Sequence, residues 1–126
     1  MKRAVRVLIV DDAPDNREIY AEYLRYRGYN VTEAATGAEA LECAPRCKPD
    51  VVLLDMRLPD LPGVEVSRRL RRMHSIRPII IALSACAFDS DISDAQASGC
   101  EMFIAKPCLP EQVEAEIRRL GRREVA

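Results

Sequence analysis

The stretch VVLLDMRLPDLPG, residues 51–63, runs four apolar residues into Asp55 and then into a loop with two prolines and a glycine. A short aliphatic run that stops at turn-forming residues predicts a strand buried on both faces. Aspartate is also common in turns, so this stretch alone leaves open whether Asp55 has a function or only ends a strand. The residues at the ends of the other strands decide the question.

Four further aliphatic runs predict strands, and amphipathic stretches separate the runs. The predicted strands span residues 5–10, 29–34, 51–55, 78–84 and 100–105. Apolar residues share one face of three predicted helices, at Ile19, Tyr23 and Leu24, at Val66, Leu70 and Met73, and at Val113, Ile117 and Leu120. The alternation predicts a (βα)5 domain of the α/β class, with a parallel sheet covered by helices on both faces.

Local signals mark where the predicted helices begin and end. Thr36 followed by Glu39 has the form of a capping box, in which Glu39 reaches back to the start of the second helix. Gly28 ends the first helix, and Gly99 ends a fourth, weakly patterned helix over residues 89–98. Pro110 is placed to open the last helix.

The composition is that of one globular domain, taken here as residues 1–126. The chain is 48% hydrophobic, as is ordinary for a globular protein. Its formal net charge of −1 argues against direct nucleic-acid binding. Its arginine clusters, at 68–72 and 118–123, fall on helices expected on opposite faces of the sheet. The N-terminal apolar run is too short for a signal peptide or a membrane span, so we expect a cytoplasmic protein without membrane insertion.

The cysteines are Cys43, Cys47, Cys86, Cys100 and Cys108. An odd count without a secretion signal predicts reduced thiols. A zinc site at Cys43 and Cys47 lacks further ligands, because the chain has one histidine, His74, and no second close cysteine pair. We therefore expect the cysteines to be small buried hydrophobic residues.

Polar residues follow four of the five predicted strands. They are Asp11 and Asp12 after the first, Asp55 at the end of the third, Ser84 at the end of the fourth and Lys106 after the fifth. The carboxyl ends of parallel strands meet at one edge of a sheet, where ligands bind. Independent accidents at four strand ends are a poor explanation, so the sequence predicts one site there.

The side chains predicted at this edge suit phosphoryl transfer. Three neighbouring carboxylates repel one another unless a cation joins them, and an oxygen-only ligand set favours Mg²⁺. A magnesium ion and a lysine together neutralise a phosphoryl group. Asp55 is then the candidate nucleophile, which forms an acyl phosphate, while Asp11 and Asp12 are the candidate metal pair.

Four motifs in this order resemble the receiver domain of two-component response regulators, and in particular the chemotaxis regulator type. They are VLIVDD (7–12), VVLLDMRLPDLPG (51–63), IIIALSA (79–85) and IAKP (104–107). The resemblance implies a flavodoxin-like, doubly wound sheet with strand order 2-1-3-4-5. It also implies a signalling switch that accepts a phosphoryl group in a Mg²⁺-dependent reaction.

The resemblance assigns a role to each residue of the site. It implies that Asp55 is phosphorylated. It also implies that Mg²⁺ binds Asp12, Asp55 and the carbonyl of Arg57, and that Asp11 binds the ion through water. Lys106, which precedes a cis peptide bond to Pro107, is implied to pair first with Asp55 and then with the phosphoryl oxygens. Ser84 and Phe103 are implied to form a switch that remodels the face of the fourth and fifth helices. Since residue 103 is not tyrosine, no phenolic hydrogen bond assists this switch.

Arg57 and Cys86 stand at positions that influence hydrolysis of the acyl phosphate in this family. Whether Arg57 covers the phosphoryl group or only points into solvent stays open. The implied partners are a histidine kinase or a histidine phosphotransfer protein, and a downstream protein target that is not identified. Family analogy places kinase docking near Asn16, Ile19 and Tyr20 and on the loop after Lys106. The domain is expected to catalyse only its own phosphorylation and dephosphorylation, not to be a turnover enzyme.

Other functions fit the sequence less well. An aspartyl-nucleophile phosphatase separates its two acids as D-x-D, whereas Asp11 and Asp12 are adjacent. A flavodoxin-type electron carrier needs a hydroxyl-rich phosphate loop where this chain has DDAPDN, residues 11–16. A degenerate receiver that acts only as a protein-interaction module remains the alternative. A stand-alone regulator and a receiver excised from a hybrid kinase also stay open.

Overall fold

The computed structural model describes residues 3–85 and 88–125, and strands and helices alternate along these ranges as the sequence predicts. The elements are β1 Arg6–Val10, α1 Pro14–Tyr26, β2 Asn30–Ala34, α2 Gly37–Cys47, β3 Val51–Asp55, α3 Gly63–Arg72, β4 Ile79–Ser84, α4 Asp89–Ala97, β5 Met102–Ala105 and α5 Pro110–Val125. The strands form one parallel sheet in the order β2-β1-β3-β4-β5, which confirms the predicted doubly wound, flavodoxin-like architecture.

The sheet buries alternate residues on its two faces. Leu8, Val52 and Ile80 lie in a core that α2, α3 and α4 complete, whereas Ile9, Leu53 and Ile81 lie in a core that α1 and α5 complete. Every residue of β3 and β4 is buried, because helices cover both faces of these strands. Each fully buried aliphatic side chain contributes about 1.5–3 kcal/mol to folding. These central strands therefore give the site a rigid base.

The predicted apolar face of α1 is confirmed at Leu24 and wrong at Ile19. Ile19 is 54% exposed and Tyr23 is half-buried, while Tyr20, Ala21 and Leu24 face the core. Tyr20 can be buried because its hydroxyl donates a hydrogen bond to the carbonyl of Cys108, at 2.7 Å. Burial raises the pKa of this phenol. Tyr20, whose hydroxyl has a backbone partner, is thus buried in the core where the periodicity predicted Ile19.

β1, β2 and β4 each begin one residue later than predicted, α4 ends one residue earlier, and two further details differ. Thr36 Oγ1 accepts from the Glu39 N–H at 3.1 Å as predicted, but the Glu39 carboxylate accepts from Ala35, one residue before the expected partner. β5 begins at Met102 rather than at residue 100, because the Cys100 N–H still bonds the carbonyl of Ala95 at the end of α4. The other end signals are confirmed: Gly28 and Gly99 have φ of 95° and 109°, and α5 begins at Pro110.

The cysteines only partly match the prediction. Cys100 is buried, but Cys43, Cys47 and Cys108 are half-buried, and of these Cys43 and Cys108 pack against the two cores. All four are free thiols, as predicted, and Cys86 lies outside the described residues. Within the described ranges, no helix combines the length and the apolar character that crossing a membrane requires.

Candidate functional site

The predicted polar residues meet at the carboxyl edge of the sheet. Asp11 directly follows β1, Asp55 ends β3, and Ser84 ends β4 beside Ala105, the last residue of β5. One carboxylate oxygen from each of Asp11, Asp12 and Asp55 lies within 4.8 Å of the others. Parallel pairing of β1 with β3 sets this convergence, since it brings their carboxyl ends side by side.

The ammonium group of Lys106 bridges two of the carboxylates. Its Nζ lies 3.1 Å from Asp11 Oδ2 and 3.2 Å from Asp55 Oδ2. The sequence predicted the contact with Asp55 but not the contact with Asp11. Asp11 and Asp55 are 2% and 8% exposed, whereas Asp12 is exposed. The site therefore has a buried, paired side and a solvent-facing side at Asp12.

Backbone N–H groups orient the two buried carboxylates. Asp11 Oδ1 accepts from the N–H of Ala13, and Asp55 Oδ1 accepts from the N–H of Arg57, both at 2.9 Å. Each carboxylate thus has one oxygen bound to the backbone two residues ahead and one bound to Lys106. This arrangement fixes the orientation of both side chains.

The charges of the site affect each other's protonation. Burial raises the pKa of the Asp55 carboxyl, and the Arg57 N–H and the Lys106 ammonium offset that effect only in part. Burial opposes the charge of Lys106, but its hydrogen bond to Asp11 and the charge of Asp55 outweigh burial and raise its pKa. The Lys106 ammonium is shared by two of the three clustered carboxylates, so their negative charge also favours the binding of a further cation.

The donor set fits a hard divalent cation. The clustered ligand atoms are all carboxylate oxygens, and the exposed side at Asp12 leaves space for water ligands, as Mg²⁺ prefers. Residues 57 and 62 form an antiparallel bridge, which holds the peptide whose carbonyl is the fourth predicted ligand. The three clustered carboxylates therefore fit the kind of ligand set that was predicted, and the role of the Arg57 carbonyl stays a prediction.

The predicted switch residues lie on one face of the sheet. Ser84 is 3% exposed, and its carbonyl accepts from the Lys106 N–H at 2.8 Å. Phe103 is half-buried, pairs in register with Ala82 and packs against the core beneath α2, α3 and α4. Because Ala82 and Ser84 point to the same face, Phe103 lies one step below the hydroxyl along that face.

The predictions for the residues that influence acyl-phosphate hydrolysis and for the residues that dock the kinase have different outcomes. Arg57 is exposed beside the site, and its role stays a prediction, as does that of Cys86. Asn16 and Ile19 are exposed on α1, as a docking surface requires. Tyr20 is buried, so its place in that surface was wrong.

Sequence reasoning missed Arg17 as part of the site. Its Nη1 donates to the carbonyl of Asp11 at 2.8 Å, and its Nε donates to Glu33 Oε1 at 3.1 Å. Arg17 thereby anchors the turn that carries both acids. The available signal was an arginine in the first turns of α1, where a basic residue opposes the helix dipole and needs another reason to be there.

Comparison with known proteins identifies one family. A family model described as the response regulator receiver domain matches residues 7–118. The probable transcriptional regulatory protein TcrX of Mycobacterium tuberculosis is 38% identical, over 98% of this chain and 54% of that protein. The polar-differentiation response regulator DivK of Brucella anthropi is 33% identical, over 91% of this chain and 95% of DivK. The chain thus spans about half of TcrX but nearly all of DivK.

Solved structures agree with this result. The chemotaxis response regulator CheY4 of Vibrio cholerae superposes with a TM-score of 0.86 at 28% identity, over 92% of this chain and 98% of CheY4. The receiver domain of the sensor histidine kinase PA1611 of Pseudomonas aeruginosa has a TM-score of 0.83 at 33% identity, over 92% and 96% of the two chains. That structure holds a magnesium ion in its active site cleft. By sequence and by fold, this chain belongs to the response regulator receiver domains of two-component signalling.

Proposed function

We propose that this receiver domain accepts a phosphoryl group on Asp55, in a Mg²⁺-dependent reaction. The observation that carries the proposal is the position of the Lys106 ammonium, which lies against both Asp11 and Asp55 beside the exposed carboxylate of Asp12. A nucleophile, a cation and a set of metal ligands are thereby held in one place. The magnesium ion in the related PA1611 receiver supports the same assignment.

The donor in this proposal is the phosphohistidine of a histidine kinase or a histidine phosphotransfer protein. A carboxylate oxygen of Asp55 forms a bond to phosphorus while the P–N bond of the donor breaks. The imidazole leaves with the electron pair of that bond and takes up a proton. Asp12, Asp55, the Arg57 carbonyl and, through water, Asp11 would hold Mg²⁺, which would supply positive charge to offset the charge of the phosphoryl oxygens.

The residues of this chain have separate tasks in that reaction. The N–H of Arg57 holds Asp55 in place for attack, since it already binds one oxygen of the carboxylate. Lys106 exchanges its contact with Asp55 for a phosphoryl oxygen and keeps its contact with Asp11. Attack by water on the acyl phosphate then restores Asp55. The protein catalyses only these steps on itself, so it is a switch and not a turnover enzyme.

The signal in this proposal passes through Ser84 and Phe103. The Ser84 hydroxyl turns toward the phosphoryl group, and Phe103 turns into the space that is released beneath it. Both residues lie on the face of the sheet that packs against α4, so the change reaches the α4-β5-α5 surface and a downstream protein partner.

The free thiols of the four described cysteines support a cytoplasmic location.

Intact-mass spectrometry with acetyl phosphate tests the proposal. We expect an adduct of one phosphoryl group on the parent chain with Mg²⁺, and none after chelation or in Asp55→Asn. Asp12→Asn is the matched control, because it removes a neighbouring carboxylate and keeps the proposed acceptor. It should form the same adduct only at higher Mg²⁺ concentrations. A folded parent chain that forms no adduct would support the interaction-only alternative.

A further inference from the structure

The loop between β3 and α3, residues 56–62, is closed upon itself. The N–H of Gly63 donates to the carbonyl of Met56 at 3.0 Å, and Arg57 pairs with Pro62 in an antiparallel bridge. Gly63 permits this closure, because a Cβ there would lie 2.5 Å from Met56 Cα. The loop carries the Arg57 peptide, whose N–H orients Asp55.

Asp60, at the tip of this loop, holds the start of a distant helix. Its Oδ1 accepts from the Gly37 N–H and its Oδ2 accepts from the Ala38 N–H, both at 2.9 Å. These N–H groups belong to the first two residues of α2 and have no partner within the helix. A carboxylate suits them, because the helix dipole favours negative charge at its N-terminus. The same hydrogen bonds lower the pKa of Asp60.

The loop and α3 pack so closely against the start of α2 that there is no space for a side chain at Gly37. A Cβ on Gly37 would lie 2.9 Å from Val66 Cγ2 and 3.1 Å from Leu61 Cβ. Only glycine therefore lets the start of α2 approach the loop and α3 this closely. The loop is thus bound at both ends to β3 and α3 and at its tip to α2.

We propose that Asp60 is a positioning residue for the phosphorylation site. By fastening the loop tip to α2, it holds the Arg57 peptide so that the N–H orients Asp55 and the carbonyl is available to Mg²⁺. Its carboxylate touches neither the metal ligands nor Lys106 among the described residues. The metal part of this inference rests on the proposed function; the part that concerns the Arg57 peptide does not.

A second residue at the same helix end provides a matched control. Thr36 caps α2 through its hydroxyl, which accepts from the Glu39 N–H, but it makes this contact within the α2 segment. Asp60→Ala and Thr36→Ala therefore each remove a side-chain cap from α2. Only Asp60→Ala also releases the loop. If Asp60 merely stabilises the helix, the two variants will behave alike.

The first measurement is amide hydrogen exchange at Arg57, by NMR and without Mg²⁺. We expect faster exchange in Asp60→Ala than in the parent chain, and no change in Thr36→Ala. Asp60→Asn keeps one acceptor oxygen, so it should give a smaller effect of the same sign. It also replaces Asp60→Ala if that variant does not fold. Unchanged exchange at Arg57, or equal acceleration in the Thr36 variant, would overturn the proposal.

The second measurement is the Mg²⁺ dissociation constant, by calorimetry on the same variants. Replacement of a residue that orients metal ligands typically lowers metal affinity by tenfold or more. We therefore expect Mg²⁺ to bind about tenfold more weakly to Asp60→Ala, and its affinity for Thr36→Ala to change by less than about twofold. Equal affinities in Asp60→Ala and the parent would contradict a role in metal binding. If the parent itself binds no Mg²⁺, the proposed function fails, and the exchange measurement still decides whether Asp60 holds the Arg57 peptide.

Discussion

Lys106 Nζ lies as close to Asp11, at 3.1 Å, as it does to the proposed phosphoacceptor. Its charge therefore neutralises part of the proposed metal site as well as the nucleophile. Removal of that ammonium would leave the two buried carboxylates without the ion pairs that Lys106 makes to both of them. Lys106 and the proposed magnesium ion would thus compete electrostatically for the same oxygens, although the proposed phosphoryl transfer uses both.

This competition predicts opposite effects of Lys106→Met on metal binding and on phosphorylation. Charges about 4 Å apart interact by about 1 kcal/mol even in water, so we expect Mg²⁺ to bind about fivefold tighter. Phosphorylation by acetyl phosphate should slow by about 100-fold, the typical loss for one group that stabilises transition-state charge. Calorimetry and mass spectrometry measure the two quantities.

Lys48→Met is the control for this experiment. Lys48 is exposed at the C-terminal end of α2, in a left-handed conformation that methionine and lysine adopt equally poorly. Its replacement should change neither quantity. Weaker Mg²⁺ binding in Lys106→Met would contradict the competition and indicate that lysine orients the metal ligands.

Asp12→Asn should stabilise the protein when divalent cations are absent. The Asp12 carboxylate lies within 4.8 Å of Asp11 and Asp55, and like charges at that distance repel by about 1 kcal/mol. We expect a gain of about that size in the free energy of unfolding in EDTA, and a loss of most of the stabilisation by Mg²⁺. Urea unfolding with and without Mg²⁺ measures both.

The matched variant for this prediction is Asp15→Asn. Asp15 is an acidic residue in the first turn of α1, where its charge favours the helix. Its removal should lower stability slightly and leave the effect of Mg²⁺ intact. A destabilised Asp12→Asn protein would show that repulsion among the three carboxylates is not significant.

Arg17→Met should weaken both the fold and the metal site. Arg17 binds the carbonyl of Asp11 and the carboxylate of Glu33, and its side chain is 19% exposed. Loss of a partly buried charged hydrogen bond costs about 1.5–3 kcal/mol, and release of the turn should weaken Mg²⁺ binding as well. Urea unfolding and calorimetry test the two effects.

Arg25→Met separates the two contacts of Arg17. Arg25 pairs with the same Glu33, at 3.2 Å, but it is 48% exposed and does not bind Asp11. We expect this variant to lose less than about 1 kcal/mol and to bind Mg²⁺ normally. If the Arg25 variant lost Mg²⁺ affinity as well, Glu33 rather than the Asp11 carbonyl would be the important partner.

Hydrogen bonds from side chains to the backbone of distant residues are the part of the structure that the sequence does not predict. The fold follows from the spacing of apolar runs, and the site follows from Asp11, Asp55, Ser84 and Lys106 at strand ends, since parallel pairing brings strand ends together. Arg17 and Asp60 escaped prediction because they bind the carbonyl of Asp11 and the N–H groups of Gly37 and Ala38, and backbone groups carry no sequence signal. Asp60 bonds residues 22 and 23 positions away, and no local pattern indicates that separation.

The same limit explains the wrong prediction for Ile19 on α1. Periodicity favours an isoleucine over a tyrosine for burial, because a buried phenol needs a hydrogen-bond partner. The Cys108 carbonyl supplies that partner from 88 residues away along the chain. Ile19 is then left exposed on the surface, where the resemblance had placed it for a different reason, as a docking residue.

Acid should destabilise the protein in part through Asp50, outside the site. Hydrogen bonds from the Arg3 guanidinium, at 2.7 and 2.9 Å, and from the Arg6 N–H lower the pKa of Asp50 to about 2. An unfolded aspartate titrates near about 3.9, so below pH 5 the unfolded chain takes up this proton first. Stability from Asp50 is thus complete above about pH 5 and is lost as the pH falls toward about 2.

Asp50→Asn removes that dependence. The side chain is 32% exposed, so solvent screening limits the contribution to about 1 kcal/mol at neutral pH. The variant should be less stable than the parent by about that amount at pH 7, and the difference should shrink toward zero near pH 2. Urea unfolding between these pH values measures it, with Glu42→Gln as the control, because Glu42 is 76% exposed in a weak helical pair with Arg46. A difference that stays constant with pH would mean that Asp50 acts through its hydrogen bonds in both protonation states, and not through its charge.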